Sequence, residues 1–323
     1  MVTLNTKIKY RYFRDPPDTN CGHQRRKISK SYRILFFAEK KTLWFRHMQT
    51  NLYQYFSPTA SASSSSTAHG KIAVGKYFPP NRSNVGNIEQ VCRDGFEPVV
   101  IHVSNDGIGG PLSPFNLKNE FGQCLENVWQ FSKIYRLVTA QDTNYWHHGS
   151  EFHSDWSPVG HIIEPNDAYW NWRAKGMHAH FAVRYPNGFD GKAKCVCSIV
   201  TKEWLANPAT TDPSKKNEYT CLSYIEARKQ IYCAEYARLA PSTVSFKKLK
   251  YAVDNGKNLL LLEVDGPPPW MGLTYPYNQI DPENPALILN ERVIKALLSD
   301  PSRPFGHGYT LGALLLNGEE WLK

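Results

Sequence analysis

The sequence predicts an α+β fold, a predominantly helical single domain with a small sheet, occupying residues 71–323 of a 323-residue chain. Three observations predict it. Apolar residues recur at helical spacing in several long stretches, as in Val128, Phe131, Ile134, Tyr135 and Val138. One short run, LLLLEV at 259–264, is continuously apolar and of buried-strand length. Gly and Pro clusters separate these segments without any internal repeat.

In chain order, Pro98 to Val103 reads as a short strand and is followed by the turn-rich loop NDGIGGPLSP. A helix is expected from Gln123 to Val138, with polar Glu126, Gln130 and Lys133 opposite its apolar face. Residues 140–165 are loop-like. Trp170 to Arg184 reads as helix until Tyr185-Pro186-Asn187-Gly188 stops it. A further helix is expected from about Leu222 to Leu239. Asn255-Gly256 marks a turn before the strand at 259–264, and the last helices are expected at 287–298 and about 308–317.

Hydrophobic residues make up 41% and charged residues 21% of the chain, which excludes wholesale disorder. The net charge of +9 is concentrated at one end: twelve of the 38 Lys and Arg lie in residues 1–56 against three acidic residues, leaving 26 of each sign beyond. The body is therefore neutral, and residues 1–47 form a basic, optional leader. Seven irregularly spaced cysteines in a chain of this size read as free thiols of a reducing compartment, nuclear or cytoplasmic. No apolar run approaches the roughly eighteen residues of a membrane span, so no membrane partner is expected.

Residues 57–70, SPTASASSSSTAHG, lack side chains able to form a core, so 48–70 is expected to be a motif followed by a flexible tether. The motif is Gln49-x-x-Leu52-x-x-Tyr55-Phe56. It resembles the box by which replication and repair proteins bind the sliding clamp PCNA. One helical turn would put Leu52, Tyr55 and Phe56 on one side as an apolar plug, with Gln49 hydrogen-bonding at its edge.

Glu126, Gln130 and Lys133 stand at i, i+4 and i+7, two turns of a helix, so the end residues would lie about 10 Å apart along the axis. Taken alone, such a stripe is more often a solvated face than a site. Here, however, the segment resembles the NADAR family, whose members include N-glycosidases acting on ribosylated bases. The family pattern has Glu, then usually His, with Gln four and Lys seven residues after the Glu; Asn127 stands where the His would be. PLSPFNL (111–117), Trp170, Arg173, Met177 and Arg184, the segment LLLLEVDGPPPW with Asp265 and Trp270, and Gly306-His-Gly308-Tyr-Thr310-Leu-Gly312 resemble the family's other segments, with Thr310 in place of an Asn.

The resemblance implies cleavage of a ribosyl–base bond without cofactor or metal, ADP-ribose on guanine in DNA or nucleotide being the leading substrate. It implies Glu126 as acid/base or charge stabiliser, Lys133 as an amine able to trap the opened sugar, and Asp265 as a second carboxylate. Gln130, Trp129, Trp170, Trp172, Arg173, Arg184 and Gly308 are then expected to bind substrate, the tryptophans by stacking and the arginines through phosphate. For the tryptophans, core packing is the competing reading and is favoured for one of Trp170 and Trp172. A free ribosylated metabolite as substrate, a non-catalytic ligand reader on the clamp, and a structural protein with a chance motif remain open. His147, His148, Glu151, His153 and Asp155 lack zinc-site spacing, Cys195-Val-Cys197 lacks a second Cys pair, and His307 between two glycines reads as a turn histidine.

Overall fold

A computed structural model of the chain describes residues 69–78, 91–102, 107–135, 165–184, 186, 195–267, 276 and 286–323. All of these belong to one compact unit, Tyr53–Lys323. The basic leader, the clamp-like motif with Gln49, Leu52, Tyr55 and Phe56, the tether as far as 68, the His-rich stretch at 147–155 and Trp270 lie outside the described residues.

In chain order the described elements are β1 (Ile72–Lys76), β2 (Glu97–Val100), α1 (Leu125–Phe131), β3 (Lys133–Tyr135), α2 (Asp167–Met177), β4 (Cys195–Thr201), α3 (Lys202–Ala206) and β5 (Tyr219–Leu222). There follows a helical run of α4 (Tyr224–Ala227), a π-helical turn (Arg228–Cys233) and α5 (Ala234–Leu239). The chain closes with α6 (Val244–Asp254), β6 (Leu259–Glu263), β7 (Ala286–Ile288), α7 (Glu291–Leu298) and α8 (His307–Leu315). Among the described residues no helix is long and apolar enough to cross a membrane.

The fold is α+β, and the described strands form two small sheets, where the sequence predicts one. One has the order β2-β6-β1-β7 and the other β3-β4-β5. In the first, β6 runs parallel to both β1 and β2, and only β7 is antiparallel. This explains the unbroken apolar run Leu259 to Leu262: a central parallel strand is covered on both faces and cannot alternate. Four helices, α2, α4, α6 and α7, begin where a short polar side chain accepts from the first turn: Asn166 from Tyr169 N–H, Ser223 from Glu226 N–H, Thr243 from Phe246 N–H and Asn290 from Val293 N–H. The Asn255-Gly256 turn ends α6, with Gly256 at a φ of 84°, a left-handed conformation that suits glycine.

Two helix expectations are corrected. The helix beginning near Gln123 stops at Phe131, and after Ser132 the chain becomes strand, Lys133 pairing with Ser198 and Ile134 with Cys197. The helix around Trp170 stops at Met177, so Arg184 lies in the irregular segment beyond it. Cys195 and Cys197 are strand residues of β4, and the 287–298 segment begins as β7 before α7.

The main core packs the first sheet against α5, α6, α7 and α8, through residues such as Val74, Leu261, Leu249, Ile294 and Leu311. A second, aromatic core joins α1 and α2 to the second sheet through Phe131, Tyr169, Trp170, Trp172 and Ile199. Helix α1 touches both, with Leu125 in one core and Phe131 in the other. It is consequently buried on nearly every side, polar residues included.

Candidate functional site

Helix α1 carries the polar stripe inward. Glu126 and Gln130 are each only 7% exposed, so this is not a solvated face. Gln130 Nε2 donates to Glu126 Oε1 at 2.8 Å, and Lys133 Nζ donates to Gln130 Oε1 at 2.7 Å. The amide thus bridges an acid and an amine that do not touch, each of its two ends matched to one partner. Lys133 Nζ also lies 4.8 Å from the centre of the Trp129 ring, a cation–π contact. Trp129 in turn leans on Tyr232, with ring centres 5.5 Å apart.

The neighbouring Asn127 is fully buried and fixes the approach of another cation. Its Nδ2 donates to the carbonyls of Ala179 and Phe181, and its Oδ1 accepts from Val183 N–H. That clamp leads directly to Arg184, whose guanidinium sits 3.3 Å from both oxygens of Asp265. Burial raises the Glu126 carboxyl above its ordinary value; Arg184 and Lys133 pull it back and Asp265 pushes it further up. Burial lowers the Lys133 ammonium, with Glu126 opposing that and Arg184 reinforcing it. The four charged groups therefore act on one another, although they come from α1, β3, the segment after α2 and the end of β6.

Asp265 lies just beyond β6, at the carboxyl edge of the parallel strands, where ligands of open α/β sheets commonly bind. The same edge holds Glu263 and His307, which in the sequence look like an ordinary strand residue and a turn histidine. Glu263 ends β6 with no exposed surface. Its Oε2 accepts from Gly308 N–H at 3.0 Å and lies 3.1 Å from His307 Nδ1, while its Oε1 is buried with no hydrogen-bond partner among the described residues. His307 Nε2 lies 3.0 Å from the Ile101 carbonyl just past β2. Burial, then the nearby Asp265, raises Glu263 to about 8, and burial lowers His307 to about 4.

A signal for this pair existed in the flanking glycines. A Cβ on Gly306 would stand 2.2 Å from Glu263 Oε1, and one on Gly308 would stand 3.0 Å from its carboxyl carbon. The G-H-G spacing therefore marks a close approach to a buried carboxyl. Gly308 thus serves Glu263 through its backbone. Tyr232 is held well above the usual tyrosine value, by burial first and then by the charges of Glu126, Glu263 and Asp265.

The linkage of this pair gives a measurable pH dependence. Glu263, raised in the folded state, contributes stability that is complete below its unfolded value of about 4.5 and is lost as pH rises to about 8. His307, lowered in the folded state, contributes stability lost as pH falls from about 6.5 to about 4. Between about 4.5 and 6.5 the two slopes cancel, because folded and unfolded pair each hold one proton. From pH 6.5 to 8 only the Glu263 slope remains, about 1.4 kcal/mol per pH unit. Wild type is expected to lose about 2 kcal/mol more than Glu263→Gln across that interval in urea titrations; parallel profiles for the two proteins would refute the assignment.

Several expected site residues are placed elsewhere. Arg173 has no exposed surface, and its guanidinium is used entirely inside the protein: Nε and Nη2 donate to Pro213 O, and Nη1 to Phe131 O, Ile199 O and Tyr169 Oη. It cannot also grip a phosphate. Trp170 and Trp172 are 5% and 2% exposed within the aromatic core, Trp172 lying 4.8 Å from Phe131 by ring centres, so both are packing residues and neither presents a face for base stacking.

Ser214, His178 and Asp212 come together with Gln123, a constellation with the residue types of a hydrolytic triad. Asp212, Ser214 and Gln123 all converge on His178 Nε2, whereas a triad needs acid and nucleophile on opposite ring nitrogens. Among the described residues no group of His, Cys, Asp and Glu has the arrangement to hold a metal ion.

No protein-family model matches the chain, nor does any curated protein or solved structure.

Proposed function

We propose that the protein is an N-glycosidase that cleaves a ribosyl–base bond, removing ADP-ribose or a related adduct from guanine in DNA or nucleotide. The observation that supports this reading most is the buried Glu126–Gln130–Lys133 chain, electrostatically coupled to the Arg184–Asp265 pair. Breaking the C1′–N bond develops positive charge on the sugar, which a desolvated carboxylate stabilises far better than water does. Glu126 fills that role. Gln130 holds its carboxyl in one orientation and keeps the Lys133 amine a fixed distance away.

The base departs with a proton from water, the hydroxyl of that water joins C1′, and the sugar opens to its aldehyde, which the Lys133 amine, its ammonium lowered by burial, attacks. Loss of water from that adduct gives a Schiff base, and water returning to C1′ releases the sugar. Asp265 binds ribose hydroxyls, and Arg184, already paired with it, reaches phosphate. The Gln49–Phe56 segment would bind the sliding clamp and bring the body to DNA.

Incubation of the full chain with DNA carrying ADP-ribosylated guanine should release ADP-ribose, and borohydride present during turnover should leave a sugar adduct on Lys133. No release from DNA, nucleotide or ribosylated pyrimidine would end the glycosidase reading. Binding of a 48–60 peptide to the clamp, lost on Tyr55→Ala/Phe56→Ala, tests recruitment separately; no binding by the wild-type peptide would leave a free nucleotide or metabolite as the substrate.

A further inference from the structure

The carboxyl edge of the parallel strands is tied together by one pair of side chains. His307 bridges Ile101, at the end of β2, and Glu263, at the end of β6, while Glu263 also receives the Gly308 amide from the first turn of α8. Two residues beyond Glu263 the chain reaches Asp265, the partner of Arg184. One residue beyond Ile101 it reaches His102, whose ring lies 5.4 Å from that of Tyr77 at the end of β1. The pair therefore ties the end of β2 to the end of β6, from which Asp265 extends, and both to the first turn of α8.

Hydrogen-bond direction fixes where its proton must be. The Ile101 carbonyl only accepts, so His307 Nε2 carries hydrogen. Nδ1 then faces Glu263 Oε2 either as the N–H of an imidazolium beside a carboxylate, or as an acceptor from a protonated carboxyl. The surroundings decide between them. A carboxylate would leave a charged oxygen, Oε1, buried with no hydrogen-bond partner among the described residues, whereas a neutral acid leaves only the less demanding carbonyl oxygen there.

Charge balance points the same way. From the strand ends Glu263 faces Asp265, which opposes ionisation, and Lys76, which favours it and whose ammonium also donates to the Val264 carbonyl. Arg184 favours ionisation but is shared with Asp265. Tyr232 and Tyr236 face it from the π-helical turn and α5, with phenols that stay neutral. From α8 come His307 and the Gly308 amide, and His102 adds a further imidazole near His307.

We propose that Glu263 is a positioning residue that works in its protonated form, donating from Oε2 to His307 Nδ1 and thereby latching β2, β6 and α8 into the arrangement that presents Asp265 and Arg184 to a ligand. Base removes that proton, places a second negative charge beside that of Asp265 and opens the latch. The protein is thus assembled for binding at neutral pH and is switched off on the alkaline side. The consequence for ligand binding rests on the ribosyl reading of the site, whereas the latch itself does not.

The test uses the full chain labelled with 15N-histidine and 13C-glutamate, followed by NMR from pH 5 to 9.5, with His307→Gln and Glu263→Gln identifying the two signals. The latch requires a neutral His307 with hydrogen on Nε2 throughout the neutral range and a Glu263 carboxyl that titrates above pH 7. A His307 imidazolium at pH 7, or a Glu263 carboxyl already ionised at pH 6, overturns the proposal; should either variant fail to fold, sequential assignment of uniformly labelled wild type identifies the same two signals.

Calorimetric binding of ADP-ribose supplies the second arm. Wild type should weaken about tenfold from pH 7 to 9, one pH unit beyond the Glu263 transition, and Glu263→Gln should show no such decline. An equal decline in both proteins overturns the proposed coupling. If ADP-ribose binds at no pH while the NMR result holds, the latch stands and the ribosyl reading falls.

Discussion

Arg173→Ala is expected to lower the unfolding free energy by about 3–5 kcal/mol, the largest single effect on stability considered for this protein. The side chain has no exposed surface and is spread over the carbonyls of Phe131, Ile199 and Pro213 and the Tyr169 hydroxyl. Those acceptors come from the end of α1, from β4 and from the stretch before β5, so one planar guanidinium knits together the aromatic half of the fold. Truncation leaves each acceptor buried without its donor and opens a cavity beside Trp170, over which the guanidinium lies at 5.6 Å. Arg173→Lys should recover only part of the loss, because an ammonium cannot reproduce the forked geometry. Urea midpoints measure this directly. An unchanged midpoint together with weakened ADP-ribose binding would restore Arg173 to the ligand site.

Glu126→Gln is expected to lower kcat for ribosyl–base cleavage by about 10²–10⁴-fold while changing stability by less than about 1 kcal/mol. The replacement keeps an oxygen for Gln130 Nε2 and removes only the negative charge, which the buried position already disfavours. In the proposed mechanism Glu126 is the carboxylate, so wild-type kcat/KM should rise with pH along a limb shifted above that of an ordinary carboxyl, and that limb should disappear in the variant. Lys133→Met preserves most of the volume beside Trp129 and should abolish the borohydride-trapped adduct. A Glu126→Gln protein with wild-type kcat would remove Glu126 from the chemistry.

The spacing of Glu126 and Gln130 was readable because both stand one turn apart on a helix, and local geometry carries that contact without help from the rest of the chain. Lys133 was misread in conformation. Phe131, Ile134 and Tyr135 fit a helical face, yet Lys-Ile-Tyr also suits a strand, and pairing with Ser198 and Cys197, more than sixty residues away, decided the matter. Trp170 and Trp172 failed as stacking residues because an aromatic side chain looks the same in sequence whether it lines a cleft or fills a core. Glu263 was hidden at the end of LLLLE, where a terminal polar residue reads as a strand boundary; its burial depends on α8 arriving from more than forty residues downstream.

By itself the sequence determined the α+β character, an apolar strand within 259–264, the Asn255-Gly256 turn and the acid-amide helix, since each follows from side chains within a few residues of one another. Only the tertiary structure decided that the stripe faces inward, that Arg173 is a cross-link, and that Glu263 and His307 meet at the carboxyl edge of the sheet. Burial and protonation depend on what is brought close from distant parts of the chain, because desolvation and Coulomb forces act through space, regardless of order along the backbone.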